Sequence, residues 1–392
     1  MSAPHGAISR RLLIVLPSWV GDAVMATPAL QRIREALPGS FVGGLARPGI
    51  DRILEGLSTD AGAVVFDEMH VERQAGVLGP KRVAAKLRPR RYDTALLLTG
   101  SFSTALIARI AGVPRRVGYE RDGRGFLLTD RLHPPKTAGG EWAIVPAVSY
   151  YWHAAQALLD PAHPRRLDAP PLECVERART LLPERERLRL AVTARDAEEA
   201  RRVRARTGLA EGEAFTVLNP GGNKPEKRWP AERFAALADH LAAAHGLRVL
   251  INGSPAELEL CESIARAAGS EPMVLPACGG TLGALKALCA DPAAKLMVTN
   301  DTGPRHIAAA MGCPVVSLFG PTDARWTTIP GPMLADGSDG EALLVADPTL
   351  PPREGANDHP ERCAVDRISL GRVVEASDRL LRIGRFAPDA VL

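Results

Sequence analysis

Three clusters of residues carry the types and spacing that could do chemistry on a phosphorylated ligand. The first is Asn300-Asp301-Thr302-Gly303-Pro304-Arg305-His306, which joins an apolar strand-like run to a helical pattern. At a helix start the first N–H groups have no partner inside the helix and the macrodipole adds positive potential, so a phosphate beside Thr302 and Gly303 would meet ready donors. Pro304 fits the first turn, where its missing N–H costs nothing. The competing reading is that Asp301 or Thr302 only caps the helix. His306, about one turn further on, reads as a hydrogen-bonded structural histidine ahead of a catalyst.

The second cluster is Asn219-Pro220-Gly221-Gly222-Asn223-Lys224-Pro225-Glu226-Lys227-Arg228-Trp229-Pro230. Paired glycines after a strand expose N–H groups to an oxyanion, and Lys227 adds a mobile positive charge. The spacing is not that of a Walker A loop, because no Gly-Lys-Ser/Thr follows. An exposed Lys-Arg pair can equally be solvated surface. Nearby, Glu257 follows Asn252-Gly253-Ser254, again where a strand gives way to a helix. It can accept from ribose hydroxyls or simply favour the first helical turn.

The third cluster is Pro17-Ser18-Trp19-Val20-Gly21-Asp22. Gly21 lets backbone approach a ligand, and Asp22 places a carboxylate at the carboxyl end of a strand, where it can take a proton or cap the helix. Gly-x-Gly-x-x-Gly is absent, which disfavours a simple NAD site.

These clusters need strands to aim them. Residues 12–16 (Leu-Leu-Ile-Val-Leu) form a continuous apolar run, as expected of a strand buried on both faces of a parallel sheet. A helix over residues 23–36, stopped by Pro38-Gly39, and further strands over 41–45, 63–66 and 94–98 follow, with a helix over 103–111. Residues 161–171 read as loop. The pattern restarts with a charged helix over 194–207. Strand 215–218, helix 231–245, strand 248–251, helix 257–268, helix 282–290, strand 295–299 and strand 315–318 come next. Residues 323–360 read as loop, and 370–383 as a final amphipathic helix. Alternation of this kind predicts two doubly wound α/β domains, 1–193 and 194–392, with the last helix allowed to pack back on the first. Ligands of such sheets bind beyond the carboxyl ends of the strands, here in a cleft between the domains.

With 392 residues, two domains are the ordinary expectation. A net charge of +4 over this length does not call for nucleic acid, but it permits attraction to an anionic substrate or membrane surface. Six scattered cysteines (174, 261, 278, 289, 313, 363) contain no Cys-x-x-Cys pair and no histidine at ligand spacing, so no metal site is expected and a reducing, cytoplasmic setting fits best. Arg10-Arg11 before the apolar run looks superficially like a signal peptide, but Pro17 and Asp22 interrupt it early, which favours a buried strand. No stretch reaches the roughly 18 apolar residues of a spanning helix, so any membrane contact is expected to be peripheral.

Taken together, residues 17–29, 219–230 and 300–323, with Arg115–Tyr119, Gly123-Arg124-Gly125 and residues 127–131, resemble glycosyltransferase family 9, the ADP-heptose:lipopolysaccharide heptosyltransferases, and heptosyltransferase II in particular. The resemblance covers nearly the whole chain. It implies a GT-B fold, two Rossmann-like doubly wound domains facing an interdomain cleft. It implies inverting transfer of heptose from ADP-heptose to a sugar of the lipopolysaccharide inner core or a related glycolipid, with no cofactor, no metal and a monomeric enzyme. Position by position, Asp22 matches the proposed general base and Lys227 the residue that neutralises the departing diphosphate. Gly221, Gly222, Glu257, Asp301, Thr302, Gly303 and His306 match donor-binding positions; Ser18, Trp19, Gly21 and Ser101 fall to the acceptor. Gly221 and Gly222 replace hydroxyl residues of some relatives, and Thr99-Gly100-Ser101-Phe102 stands where many have Pro-Asn-Ser-Phe, a departure on the acceptor side. Rival readings are transfer from another nucleotide sugar, a nucleotide-sugar epimerase of the same architecture, or a non-catalytic sugar-nucleotide binder.

Overall fold

The structure, a computed structural model, describes residues 9–73, 78–137, 140–169, 182–183, 187–351 and 354–385. The chain divides into two compact units, residues 1–191 and 192–392. Each is built on one six-stranded parallel sheet.

In the first unit the strands are β1 (Arg11–Val15), β2 (Phe41–Ala46), β3 (Glu68–Val71), β4 (Thr94–Leu97), β5 (Arg115–Tyr119) and β6 (Asp130–Leu132). Their order is β3-β2-β1-β4-β5-β6. Leu12, Leu13, Ile14 and Val15 are all buried, so β1 is covered on both faces as its unbroken apolar run requires. The order reverses between β1 and β4, where Val15 pairs with Leu97. Chain segments leaving these two strands diverge to opposite sides of the sheet, which opens a crevice at their carboxyl ends.

The second unit repeats the plan with β7 (Phe215–Asn219), β8 (Arg248–Ile251), β9 (Met273–Val274), β10 (Ala294–Asn300), β11 (Val315–Phe319) and β12 (Glu341–Val345). Read from the β9 edge, the order β9-β8-β7-β10-β11-β12 matches that of the first unit strand for strand. The switch point falls between β7 and β10, where Asn219 pairs with Thr299.

Four expectations are corrected. The helix expected over 23–36 is two helices, α1 (Val20–Met25) and α2 (Thr27–Ala36). Pro28 has no N–H for the Val24 carbonyl, and the Thr27 hydroxyl donates to that carbonyl instead at 2.7 Å. Residues 63–66 are not the third strand. The Val65 carbonyl is taken by the Arg34 guanidinium (2.8 and 3.1 Å), and the Val65 N–H donates to Leu57. Pairing with β2 begins only after Asp67, whose carboxylate accepts from the Val42 N–H at 2.7 Å.

The stretch after 323 is not all loop. Glu341–Val345 forms the edge strand β12, where the Glu341 carboxylate receives the buried Arg305 guanidinium at 2.7 and 3.1 Å. A charged residue opening a short edge strand amid Gly, Asp and Pro hides it from a pattern search. Finally, helix α6 (Ala147–Leu159), unforeseen from the pattern, packs in the first unit with Tyr150 and Tyr151 buried. Of the expected loop 161–171, residues 170 and 171 lie outside the described residues, as does Cys174.

Candidate active site

At the switch point of the second unit, two buried asparagines end the central strands. Asn219, the last residue of β7, donates from Nδ2 to the hydroxyls of Thr299 (3.1 Å) and Thr302 (2.9 Å), and its Oδ1 accepts from Asn252 Nδ2 at 2.7 Å. Asn300, the last residue of β10, donates from Nδ2 to the carbonyls of Pro220 (2.8 Å) and Gly221 (3.1 Å), and its Oδ1 accepts from the Trp229 N–H at 3.2 Å. Two side-chain amides thus tie together the loops after β7, β8 and β10. A buried amide with its hydrogen bonds met fixes geometry far better than apolar contact does.

The helix after β10, which the fold numbers α11 (Gly303–Ala310), has Thr302 at its N-cap position. Its side chain makes no capping hydrogen bond. The hydroxyl is committed to Asn219 and Thr299. Pro304 has no N–H and the Arg305 N–H donates to the Thr302 carbonyl at 3.2 Å, so the first-turn donor left for an anion is the Gly303 N–H. The capping reading of Thr302 is therefore replaced. Asp301 lies beside it, with Oδ2 3.8 Å from Lys227 Nζ, both side chains being largely shielded.

Gly221 and Gly222 are buried, and the Gly222 N–H donates to Glu257 Oε1 at 2.9 Å. The other carboxylate oxygen, Oε2, accepts from the Ser254 N–H and hydroxyl, both at 2.8 Å. A Cβ on Gly221 would meet Glu257 Oε1 at 2.3 Å, so glycine is needed there for the carboxylate to lie on the turn. Glu257 is thus more than a first-turn acid. Trp229 is anchored in the core, its indole N–H donating to the Ile368 carbonyl at 2.8 Å. His306 is buried, and Nδ1 has no hydrogen-bond partner among the described residues. Burial, and then the adjacent Arg305, hold its pKa well below the ordinary histidine range, so the ring is neutral at pH 7.

In the first unit, Ser18, Trp19, Gly21 and Asp22 follow β1, and Ser101 follows β4, on the two strands flanking the switch point. Trp19 is at the N-cap position of α1 and is 69% exposed, while Gly21 is buried. Tyr151 of α6 donates its hydroxyl to Asp22 Oδ1 at 3.0 Å. Burial, then the facing Asp22 carboxylate, push the Tyr151 hydroxyl far above the ordinary tyrosine range, so it stays protonated and a donor. Ser101 caps α5 (Phe102–Ile110), its hydroxyl accepting from the Thr104 N–H at 3.4 Å. Its carbonyl accepts from the fully buried Arg124 at 3.2 Å, and Arg124 also donates to the Tyr119 carbonyl at 2.9 Å. Asn219, Asn252, Asn300 and Arg124 lie within the motifs, where spacing alone gives them no role, and Tyr151 lies outside every motif.

Each unit therefore presents one chemical capability at its switch point. The first offers a carboxylate gripped by a phenol; the second offers an ammonium, a helix start and a carboxylate laid on a glycine turn. Residues 81–334, well over half of the chain, match the profile of glycosyltransferase family 9 (heptosyltransferase). The chain belongs to that family.

This glycosyltransferase is 28% identical over 324 residues to lipopolysaccharide heptosyltransferase 2 of Salmonella typhimurium, a match covering 81% of this chain and 84% of the relative. Its fold is that of the solved E. coli ADP-heptose lps heptosyltransferase II, with a TM-score of 0.71 at 24% identity, covering 95% of this chain and 98% of that one. It is also similar to E. coli heptosyltransferase WaaC with ADP-2-deoxy-2-fluoro heptose, with a TM-score of 0.60 at 19% identity, covering 94% and 99%. With two parallel Rossmann-like sheets of identical order, the enzyme has the GT-B architecture.

Proposed function

We propose that this family 9 glycosyltransferase moves heptose from ADP-heptose to a sugar of the lipopolysaccharide inner core or a related glycolipid, with inversion and without a required metal. The relatives named above, a lipopolysaccharide heptosyltransferase and ADP-heptose enzymes, support the choice of substrates. The observation that carries the donor assignment is the α11 start, whose N-cap hydroxyl is engaged by Asn219 while Lys227 stands beside Asp301.

In the proposed reaction the acceptor hydroxyl attacks the anomeric carbon of the donor. The new C–O bond forms as the bond to the diphosphate breaks, the hydroxyl proton passes to Asp22, and ADP departs with the bonding pair. Negative charge grows on the diphosphate, and Lys227 with the Gly303 N–H at the helix start stabilises it without a metal. Glu257 and the Gly221-Gly222 turn position the nucleotide, Glu257 as acceptor for ribose hydroxyls. His306, neutral, serves as a hydrogen-bonding contact and not as a proton donor. Ser18, Trp19, Gly21 and Ser101 serve the acceptor. The enzyme acts as a monomer at the cytoplasmic face of the inner membrane, touching it peripherally; among the described residues no helix is long and apolar enough to cross a membrane.

The decisive experiment supplies ADP-heptose and a heptose-terminated core acceptor and follows ADP release with product mass. Acceptor-dependent ADP and a product heavier by one heptose are expected. Isomerised donor without acceptor would establish an epimerase instead, and turnover only with another nucleotide sugar would overturn the donor. Asp22→Ala should lower kcat by about 10²- to 10⁴-fold, the ordinary worth of a general base, with ADP affinity retained.

A further inference from the structure

Helices α8 (Ala231–His245) and α12 (Leu370–Ile383) lie against each other in the second unit, with Leu241, Val373, Ala376 and Leu380 in its core. Above that core, Asp378 Oδ1 accepts from His240 Nε2 at 2.9 Å and from His245 Nε2 at 2.7 Å. The imidazoles meet edge to face, 5.9 Å apart at 73°. None of these residues belongs to the transfer site, and no motif of the sequence includes them. We propose that His240, His245 and Asp378 bind a divalent transition-metal ion of the zinc class, which staples α12 to α8.

Two imidazole nitrogens and one carboxylate oxygen are a donor set that suits such ions, leaving the remaining positions to water. Their ligand atoms all lie within 4.8 Å of one another. With metal–ligand bonds of about 2.0–2.2 Å, donors on one tetrahedral ion stand about 3.3–3.6 Å apart, so the nitrogen–oxygen distances of 2.9 and 2.7 Å must open by roughly half an ångström. Side-chain rotation at the three residues is enough to bring these ligand atoms onto one ion. The three side chains are 30%, 23% and 25% exposed, so an ion can enter from solvent while the site keeps its apolar floor.

Charge favours the same outcome. His245 is the last residue of α8, where unpaired carbonyls and the macrodipole favour a cation. On binding, the ion replaces the hydrogen bonds at the two Nε2 atoms, and the single proton of each neutral ring moves from Nε2 to Nδ1. Motif spacing cannot reveal such a site, because the histidines are five apart on one helix and Asp378 lies 133 residues beyond His245.

The test uses the full chain without a histidine tag, stripped of metal and titrated with zinc by calorimetry and with cobalt(II) by visible absorption. One equivalent of zinc should bind, with cobalt bands that zinc abolishes and a rise in Tm on loading. Asp378→Asn and His245→Asn should each weaken zinc by at least about tenfold, the lower bound set by losing even an outer-shell partner. Their circular dichroism and ADP-forming activity should match the parent. His240→Gln keeps a donor for Asp378 and serves where the others fold poorly. Absence of saturable zinc binding, which would leave only a hydrogen-bonded clamp, overturns the proposal. So does one-equivalent binding that survives all three substitutions.

Discussion

Tyr151 donates its hydroxyl to Asp22 Oδ1 at 3.0 Å, bringing a residue of α6 onto the carboxylate that follows β1. The phenol is buried and stays protonated, so it can only donate toward that carboxylate. A donor of this kind both fixes the orientation of Asp22 and favours its charged form. In Tyr151→Phe the carboxylate loses that support, and its basic form becomes harder to populate. The acid limb of the kcat/KM profile should move to higher pH and kcat at neutral pH should fall, while KM for the nucleotide sugar stays within about twofold. A structural role alone would lower the amount of folded enzyme and leave the limb in place, so the pH profile decides.

Lys227 stands 3.8 Å from Asp301 and is only 20% exposed, which holds its ammonium near the α11 start. If it meets the departing diphosphate, its charge matters more in the transition state than in the bound donor. Lys227→Ala is expected to lower kcat by about 10²- to 10³-fold, the scale for removing one preorganised electrostatic contact, and to weaken ADP binding as well. Lys227→Arg should recover part of the binding and less of the rate, since a planar fork does not replace a point charge in the same place. Unchanged kinetics in the alanine variant would remove Lys227 from the site.

Much of this architecture is legible in the sequence, for a physical reason. Strands buried on both faces must be apolar throughout, so β1, β7, β10 and β11 announce themselves, and glycines and helix-start residues after them mark the switch points. Edge strands escape, because β12 opens on Glu341 and β9 is two residues long. The supporting shell escapes too. Asn300 and Asn219 open their motifs without a role of their own until the fold shows them holding three loops together. Tyr151 is 129 residues from Asp22, and spacing carries no information about a contact of that kind.

The Gly221 position separates a site effect from a folding effect. Its Cβ would stand 2.3 Å from Glu257 Oε1, and the atoms in the way belong to the end of a flexible side chain. Glu257 can yield only by giving up its bonds to the Gly222 N–H and to Ser254. Gly221→Ala should therefore raise KM for the nucleotide sugar by about tenfold, the cost of one lost charge-assisted hydrogen bond, with a modest fall in Tm because the capping bonds to Ser254 go as well. Glu257→Ala should raise KM similarly, and adding Gly221→Ala to it should cost little more. Additive losses in the double variant would show that the glycine serves something other than Glu257.

Lys286 and Asp196 form an ion pair at 2.8 Å with both side chains fully buried. Asp196 belongs to α7 (Ala194–Thr207), where it forms a capping box with Thr193; Lys286 belongs to α10 (Leu282–Ala290). Burial alone would raise the Asp196 carboxyl, but hydrogen bonds from Lys286 and Thr193 outweigh it and hold the group below its ordinary range. Because the folded value is depressed, the pair's contribution is complete above the unfolded value of about 3.9 and is lost as pH falls through the folded one. Lys286→Met leaves a buried carboxylate without its cation and should cost about 3–5 kcal/mol in urea unfolding at pH 7. It also removes the main cause of the depressed value, so the variant should lose less stability than the parent when pH is lowered below about 4. Equal acid sensitivity in the two proteins would mean that Thr193 and the helix start, not Lys286, hold the carboxylate charged.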